Sequence, residues 1–169
     1  MCLILLSQHL NAYAQQSKEI KMFYPSAKII IRHPTDSDKI LLIKRKGYYE
    51  PAGGKVEIDF EKNMAESLEQ CAIREAQEEL GLTVSIERYI GSYYFFWSID
   101  VNKFSSCAVF IGDIISEDSA FVANADTCEF TTEPAWVSVD DLLNKNAEID
   151  PLYIGLESLL LNYCKQLKT

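Results

Sequence analysis

Arg74-Glu75-Ala76-Gln77-Glu78-Glu79-Leu80-Gly81-Leu82 decides how this chain folds. The segment before it, Leu68 to Ile73, favours helix, and Gly81 directly after Leu80 is a helix stop signal. Positions three and four apart are neighbours on a helix, so Glu75, Glu78 and Glu79 share one face. Ile73, Ala76 and Leu80 share a different, apolar face. The helix is expected to bury one side and to present three carboxylates on another. Like charges at that spacing repel, and a helix needing only solubility would mix in lysines. The plain reading is a solvated acidic face. The functional reading is a cation site, because a hard divalent ion prefers carboxylate oxygens and relieves the repulsion. Mg2+ or Mn2+ is the expected cofactor.

Context upstream favours the second reading. Pro51-Ala52-Gly53-Gly54-Lys55-Val56-Glu57 places two glycines, a lysine and a further carboxylate shortly before the helix. Gly53 and Gly54 let the backbone approach a metal or phosphate where a side chain would obstruct. Together the two stretches resemble the box of the Nudix hydrolases, written G-x5-E-x7-R-E-U-x-E-E-x-G-U with U apolar. Arg74, Glu75, Glu78, Glu79, Gly81 and Leu82 fit its second half, with Ala76 as a small U. Glu66 stands eight residues before Arg74, as the pattern asks. One departure stands out. Strict spacing puts the leading glycine at position 60, which is Phe60, and Gly54 lies six residues too early. The simplest account is a six-residue insertion within Ile58 to Ala65, in the loop leading into the helix. Surface loops accept such insertions at small entropic cost.

The resemblance implies a Nudix fold and hydrolysis of a nucleoside diphosphate linked to another group, X. It assigns Glu75, Glu78 and Glu79 as the core metal carboxylates, with the Gly53 carbonyl completing the shell. Glu75 is alternatively the general base on the attacking water. Arg74 orients one of the glutamates through a bidentate ion pair. Lys55 is a candidate phosphate contact, and Glu57 a further metal or water ligand. An additional acid from a later loop is expected, with Glu129 and Glu133 both qualifying by position. A nucleoside triphosphate pyrophosphohydrolase of the MutT type fits the modest size and the Tyr49-Glu50 lead-in. An ADP-ribose or nucleotide-sugar pyrophosphatase is the alternative, and a non-catalytic nucleotide-binding module that keeps the fold is another. The last would lack carboxylates, and all are present.

Composition sets wider bounds. A chain of 169 residues with 48% hydrophobic and 24% charged residues suits one soluble globular domain. A formal net charge of -9 repels nucleic-acid phosphates, so the expected partner is a small nucleotide bridged by metal, not nucleic acid. Cys2, Cys71, Cys107, Cys128 and Cys164 are scattered without a C-x-x-C pair, which argues against a zinc cluster and for a reducing, cytoplasmic compartment. With only His9 and His33 available, histidine catalysis is disfavoured. The run Met1-Cys2-Leu3-Ile4-Leu5-Leu6 is too short to span a membrane. Residues 1–21 read as an extension and 22–169 as the Nudix domain with a C-terminal helix.

Along the domain, Ala27 to Arg32 and Lys39 to Arg45 read as a hairpin, with His33 in its turn. Lys44-Arg45-Lys46 ends the second strand as a solvated edge or, through Arg45, as a phosphate contact on the substrate. Thr83 to Tyr89 reads as a strand, followed by a turn at Gly91 and the aromatic run Ser92 to Trp97. Alternate aromatics there pack the core, line a cleft that stacks a base, or meet a partner subunit. Ser106 to Ile115 reads as a central strand and Thr127 to Val137 as the returning one. Ser138 caps a short helix through Asn144, and Pro151 opens a last helix with a stripe of Leu152, Leu156, Leu159, Leu160 and Tyr163. That stripe is core, or the contact of a homodimer. The whole is an α/β/α sandwich around a mixed sheet.

Overall fold

The computed structural model describes residues 22–98, 103–115 and 133–169. Its elements follow the expected order: β1 (Met22–Arg32), β2 (Lys39–Arg45), β3 (Tyr48–Glu50), β4 (Ala52–Lys55), β5 (Ile58–Asp59), β6 (Met64–Ala65) and α1 (Leu68–Leu80) come first. Then come β7 (Val84–Ser98), β8 (Lys103–Ile114), β9 (Glu133–Ser138), α2 (Val139–Leu143), a 3-10 turn (Pro151–Tyr153) and α3 (Ile154–Leu167).

β1 carries the architecture. It runs parallel to β8 from Met22↔Lys103 to Ile31↔Gly112, and antiparallel to both β2 and β4. Such a strand is covered on both faces, and its Ile-rich sequence matches that demand. Ile29 and Ile31 face a core with Leu41, Ile43, Phe110 and the buried side of α1. Ile30, between them, faces the opposite core with Leu42, Val109, Ile111 and the α3 residues Leu156 and Leu160. The period of two thus assigns one helix layer to each face of a mixed sheet.

β1 and β2 pair only at Ile31↔Leu41 and Arg32↔Ile40. Below that point they part: β4 joins β1 across Lys28↔Gly53, while β3 joins β2 across Ile43↔Glu50. Both strands that lead into the glycine pair therefore lie in one fork of the sheet, under α1. The fork positions the site.

Local signals explain the ends of the helices. Ser67 caps α1 in a full capping box: its hydroxyl accepts from the Gln70 amide at 3.1 Å, and the Gln70 side chain accepts from the Ser67 amide at 2.7 Å. Gly81 ends it at φ 70°, the left-handed conformation that glycine adopts without penalty. Ser138 caps α2 by accepting from the Asp140 amide. His33 sits in its turn, where Nδ1 accepts from the Thr35 and Asp36 amides.

Four expectations are corrected. The insertion is not an open loop but the hairpin β5–β6, paired at Ile58↔Ala65 and Asp59↔Met64. Gly91 is not a turn: β7 stays paired to β8 through Gly91↔Val109, with a register shift beside it, so Gly91 marks a bulge in one long strand. The buried face of α1 is Cys71, Ala72, Ala76 and Leu80, with Ile73 only half-buried, because the helix rests its small side chains on the sheet. The last helix begins at Ile154 after a 3-10 turn that Pro151 opens. In the aromatic run, Tyr93 and Phe95 point into the α3 core while Tyr94 and Phe96 are exposed. Leu156, Leu160 and Tyr163 of the α3 stripe are buried in the same core, and the side chain of Leu152 lies outside the described residues. The described part of the returning strand starts at Glu133.

Candidate active site

The face of α1 turned toward the fork carries Glu75, Glu78 and Glu79, as the helical spacing requires. Their surroundings grade from wet to dry: the Glu78 side chain is 47% exposed, Glu75 14% and Glu79 10%. Arg74 holds the outer end. Its Nε and Nη2 donate to the two oxygens of Glu66 at 3.1 and 2.7 Å, a bidentate grip. Nη1 donates singly to Glu75 at 2.9 Å and Glu78 at 2.8 Å, and Nη2 also reaches the Lys55 carbonyl at 2.9 Å. The bidentate partner of Arg74 is therefore Glu66, in the lead-in, rather than one of the helix glutamates.

Glu66 in turn accepts from the Glu57 amide at 2.8 Å, which ties the base of the inserted hairpin to the box. Burial works against ionisation of Glu66, but the Arg74 and Glu57 hydrogen bonds outweigh it and hold its carboxyl below the usual range. Glu75 goes the other way. Burial pushes its carboxyl up, the Glu79 and Glu78 charges push further, and Arg74 only partly opposes them. Gly54 lies directly against it, and a Cβ there would overlap the Glu75 carboxylate. This close approach is the reason for a glycine at that position. Cys71, beside Arg74 and near the Gly54 carbonyl, has its thiol pushed up to about 12, by burial first and then by the Glu66 and Glu75 charges. It is a neutral thiol and no nucleophile.

Glu79 belongs to a second, drier cluster. It accepts from the Gly53 amide at 2.9 Å and from Arg45. Arg45 also meets Glu50 at 3.1 Å, and Glu50 holds Lys28 at 2.6 Å. Lys28 is 6% exposed and Glu50 7%, and the lysine also donates to the Pro51 carbonyl at 3.1 Å. Burial disfavours both charges, and each is restored by the other: Lys28 is held above its ordinary value and Glu50 below. Arg45 is thus a partner of carboxylates rather than an outward-facing cation at a strand edge. Lys55 is exposed, with Nζ 4.7 Å from the centre of the Tyr24 ring, and Glu57 is exposed at the hairpin base. Glu133 is exposed at the start of β9, opposite Lys44, and Glu129 lies outside the described residues.

The sequence reading passed over Lys28, Glu50 and Tyr153, whose ring lies 5.4 Å from Lys28 Nζ. With Arg45, Gly53 and Phe95 they line a small cleft of about 70 Å3. A signal existed for the first: Lys28 is the one charge inside Ala27-Lys28-Ile29-Ile30-Ile31, a stretch otherwise apolar.

Arg74 and Arg45 draw the glutamates toward opposite ends of the face. Among the described residues, no three Asp, Glu, His or Cys side chains converge on one point. No helix among them is long and apolar enough to cross a membrane. Cys71, Cys107 and Cys164 are buried free thiols.

Solved structures of the same fold are known. The chain resembles MutT from Methanosarcina mazei Go1 at 22% identity and TM-score 0.62, covering 88% of this chain and 98% of that one. It resembles an ADP-ribose pyrophosphatase from Streptococcus suis 89-1591 at 19% identity and TM-score 0.54, over 86% and 91%. A UDP-X diphosphatase aligns at 16% identity and TM-score 0.60, over 96% and 72%. No curated protein matches the sequence. A model of the NUDIX domain matches residues 22–155, which takes in the fork, the box helix and the start of α3. With the box residues gathered over that fork, the chain belongs to the NUDIX family of pyrophosphate-bond hydrolases.

Proposed function

We propose that the chain is a divalent-metal-dependent hydrolase cleaving the pyrophosphate link of a nucleoside diphosphate joined to X. The observation that carries this reading is the contact of the box helix with the glycine pair: Glu79 accepts from the Gly53 amide, and Gly54 lies against the Glu75 carboxylate. The donor set suits a hard cation: three carboxylates and a glycine carbonyl supply oxygen ligands only. Glu75, Glu78, Glu79 and the Gly53 carbonyl would hold Mg2+ or Mn2+. Such an ion, when bound, neutralises phosphate oxygens and makes water acidic enough to attack near neutral pH.

The protein's own groups do the rest. As an alternative to a place in the metal shell, Glu75 receives the proton of the attacking water. Arg74 fixes the rotamers of Glu75 and Glu78 while anchored on Glu66. Lys55, at the exposed end of β4, contacts a substrate phosphate, and Arg45 acts from the opposite end. The substrate is a small nucleotide, handled in the cytoplasm. Size and the Tyr49-Glu50 lead-in favour a nucleoside triphosphate; ADP-ribose or a nucleotide sugar is the alternative, favoured by the hairpin beside the site. The names of the fold neighbours span both classes and favour neither.

The test is product release from dNTPs, ADP-ribose, nucleotide sugars, NADH and dinucleoside polyphosphates, with Mg2+, with Mn2+ and with EDTA. Metal-dependent turnover of one class is expected, and Glu79→Gln should lower kcat roughly a hundredfold or more while the fold persists. A Glu79→Gln protein as active as its parent would refute the assignment.

A further inference from the structure

The inserted hairpin builds a groove that the box itself does not require. β5–β6 and the first turns of α1 enclose an open space of about 1080 Å3, lined among others by Glu57, Ile58, Phe60, Met64, Ile73 and Arg74. Phe60 is 85% exposed, Met64 64% and Ile58 49%. Scattered exposed apolar residues are ordinary, but three on one short hairpin along one groove form a patch that calls for an occupant.

The hairpin is also held in place. The Glu66 amide donates to the Glu57 carbonyl at 3.2 Å, and the Glu57 amide to the Glu66 side chain at 2.8 Å. At the tip, Asp59 accepts from the Glu61 and Lys62 amides, both at 3.1 Å, and Lys62 Nζ closes on the same carboxylate. Phe60 is presented from a tied turn.

Two further observations say what fits. The groove is continuous with the carboxylate face, since Glu66 and Arg74 line the one and hold the other. The small cleft beside Lys28 and Tyr153 opens against the same face from its far side, through Gly53 and Gly54. The cleft of about 70 Å3 is too small to enclose a nucleoside, but it marks the Gly53 end of the face as the groove marks the Arg74 end; a substrate with its pyrophosphate on the glutamates and its nucleoside extending past Gly53 lays X along the hairpin. The charge of the groove selects among X groups. Glu57 and Glu61 stand exposed there, while its cations Lys62 and Arg74 are engaged by Asp59 and by Glu66, Glu75 and Glu78. A phosphate as X meets repulsion; an uncharged ring meets Phe60, Met64 and Ile58.

We propose that the β5–β6 hairpin is the seat of X, and that X is an uncharged ring-bearing group such as a second nucleoside or a sugar, not a phosphate. This rests on the hydrolase reading above and, within it, selects the ring-bearing alternative over the nucleoside triphosphate. The experiment compares parent and Phe60→Ala, with kcat and KM measured for NADH, ADP-ribose and a dNTP. A second variant removes Asp59 to Met64 and joins Ile58 to Ala65, residues already paired across the hairpin. The parent should favour ring-bearing X. Phe60→Ala should raise KM for those substrates roughly tenfold, the order of one lost aromatic stack, with kcat and the dNTP values kept. The deletion should act in the same direction and more strongly. Mn2+ affinity, read by electron paramagnetic resonance, should be unchanged in Phe60→Ala. A parent that prefers dNTPs, or ring-bearing substrates indifferent to Phe60→Ala, would overturn the proposal. Should the parent turn over nothing, the hydrolase reading fails on its own. Calorimetric binding of the same ligands to parent and Phe60→Ala then still decides the groove.

Discussion

Arg74 and Arg45 grip one row of carboxylates from opposite ends, in different surroundings. Arg74 works within the box: Glu75 is its neighbour, Glu78 lies one turn on, and Glu66 is eight residues back. Its cluster borders solvent, and Glu78 is half exposed. Arg45 works across the fold. Glu79 is 34 residues away, and the chain of charges continues through Glu50 to Lys28, a further 22 residues back along the sequence. Its Lys28–Glu50 end is almost dry, although Arg45 itself is about as exposed as Arg74. The comparison teaches that the same pairing chemistry has different worth at the two ends. In the wet cluster, water screens each charge and replaces lost partners. In the dry one, each charge exists only because its partner is there.

The sharpest way to break the comparison is Lys28→Met. It leaves Glu50 buried with Arg45 alone, and should cost about 3 kcal/mol in urea unfolding. Lys28→Met combined with Glu50→Leu should cost less than the single change, because no unmatched charge remains. A double variant as weak as the sum of its singles would contradict the account. The pH dependence of stability follows from the same pair. Burial works against Glu50, and Lys28 then Arg45 outweigh it, so its folded value lies below the ordinary 4.5. Its contribution is present above that ordinary value and is lost as pH falls through the lower folded one. Lys28, raised by Glu50 against burial, contributes below its ordinary 10.5 and loses that contribution as pH rises through its folded value. Lys28→Met should therefore flatten the acid limb of a stability–pH curve.

Arg74→Lys sharpens the contrast from the wet side. Lysine keeps the charge but not the fork that reaches Glu66, Glu75, Glu78 and the Lys55 carbonyl together. It should lower kcat by about tenfold while the unfolding midpoint scarcely moves. The smallest effect is expected at the start of the helix. Ser67→Ala removes half of the capping box and should cost about 1 kcal/mol of stability, with turnover near the parent's.

Much of the fold was legible before any coordinate. The helix stop Gly81, the cap Ser138 and the β-branched run Ile29-Ile30-Ile31 are local signals, and each reappears where its spacing puts it. Gly91 was misread because a glycine between two strand-like stretches looks the same as a turn or a bulge; only the pairing with Val109 separates them. The extra length between Gly54 and Glu66 shows in the spacing, but its hairpin does not, because Ile58-Asp59 and Met64-Ala65 are too short to show a period.

Taken alone, the chain's letters determine the box helix, its three-glutamate face and the β-branched strand Ala27 to Arg32. These follow from contacts between residues a turn or a strand step apart. Tertiary structure alone decides that Arg45 answers Glu79, that Lys28 and Glu50 neutralise each other under the glycine pair, and that Phe60 overlooks the site. The reason is physical: those partners meet because β1 and β2 part and β3 and β4 fill the fork. Where two strands part is set by packing on both faces of the sheet, and no local stretch of sequence encodes it.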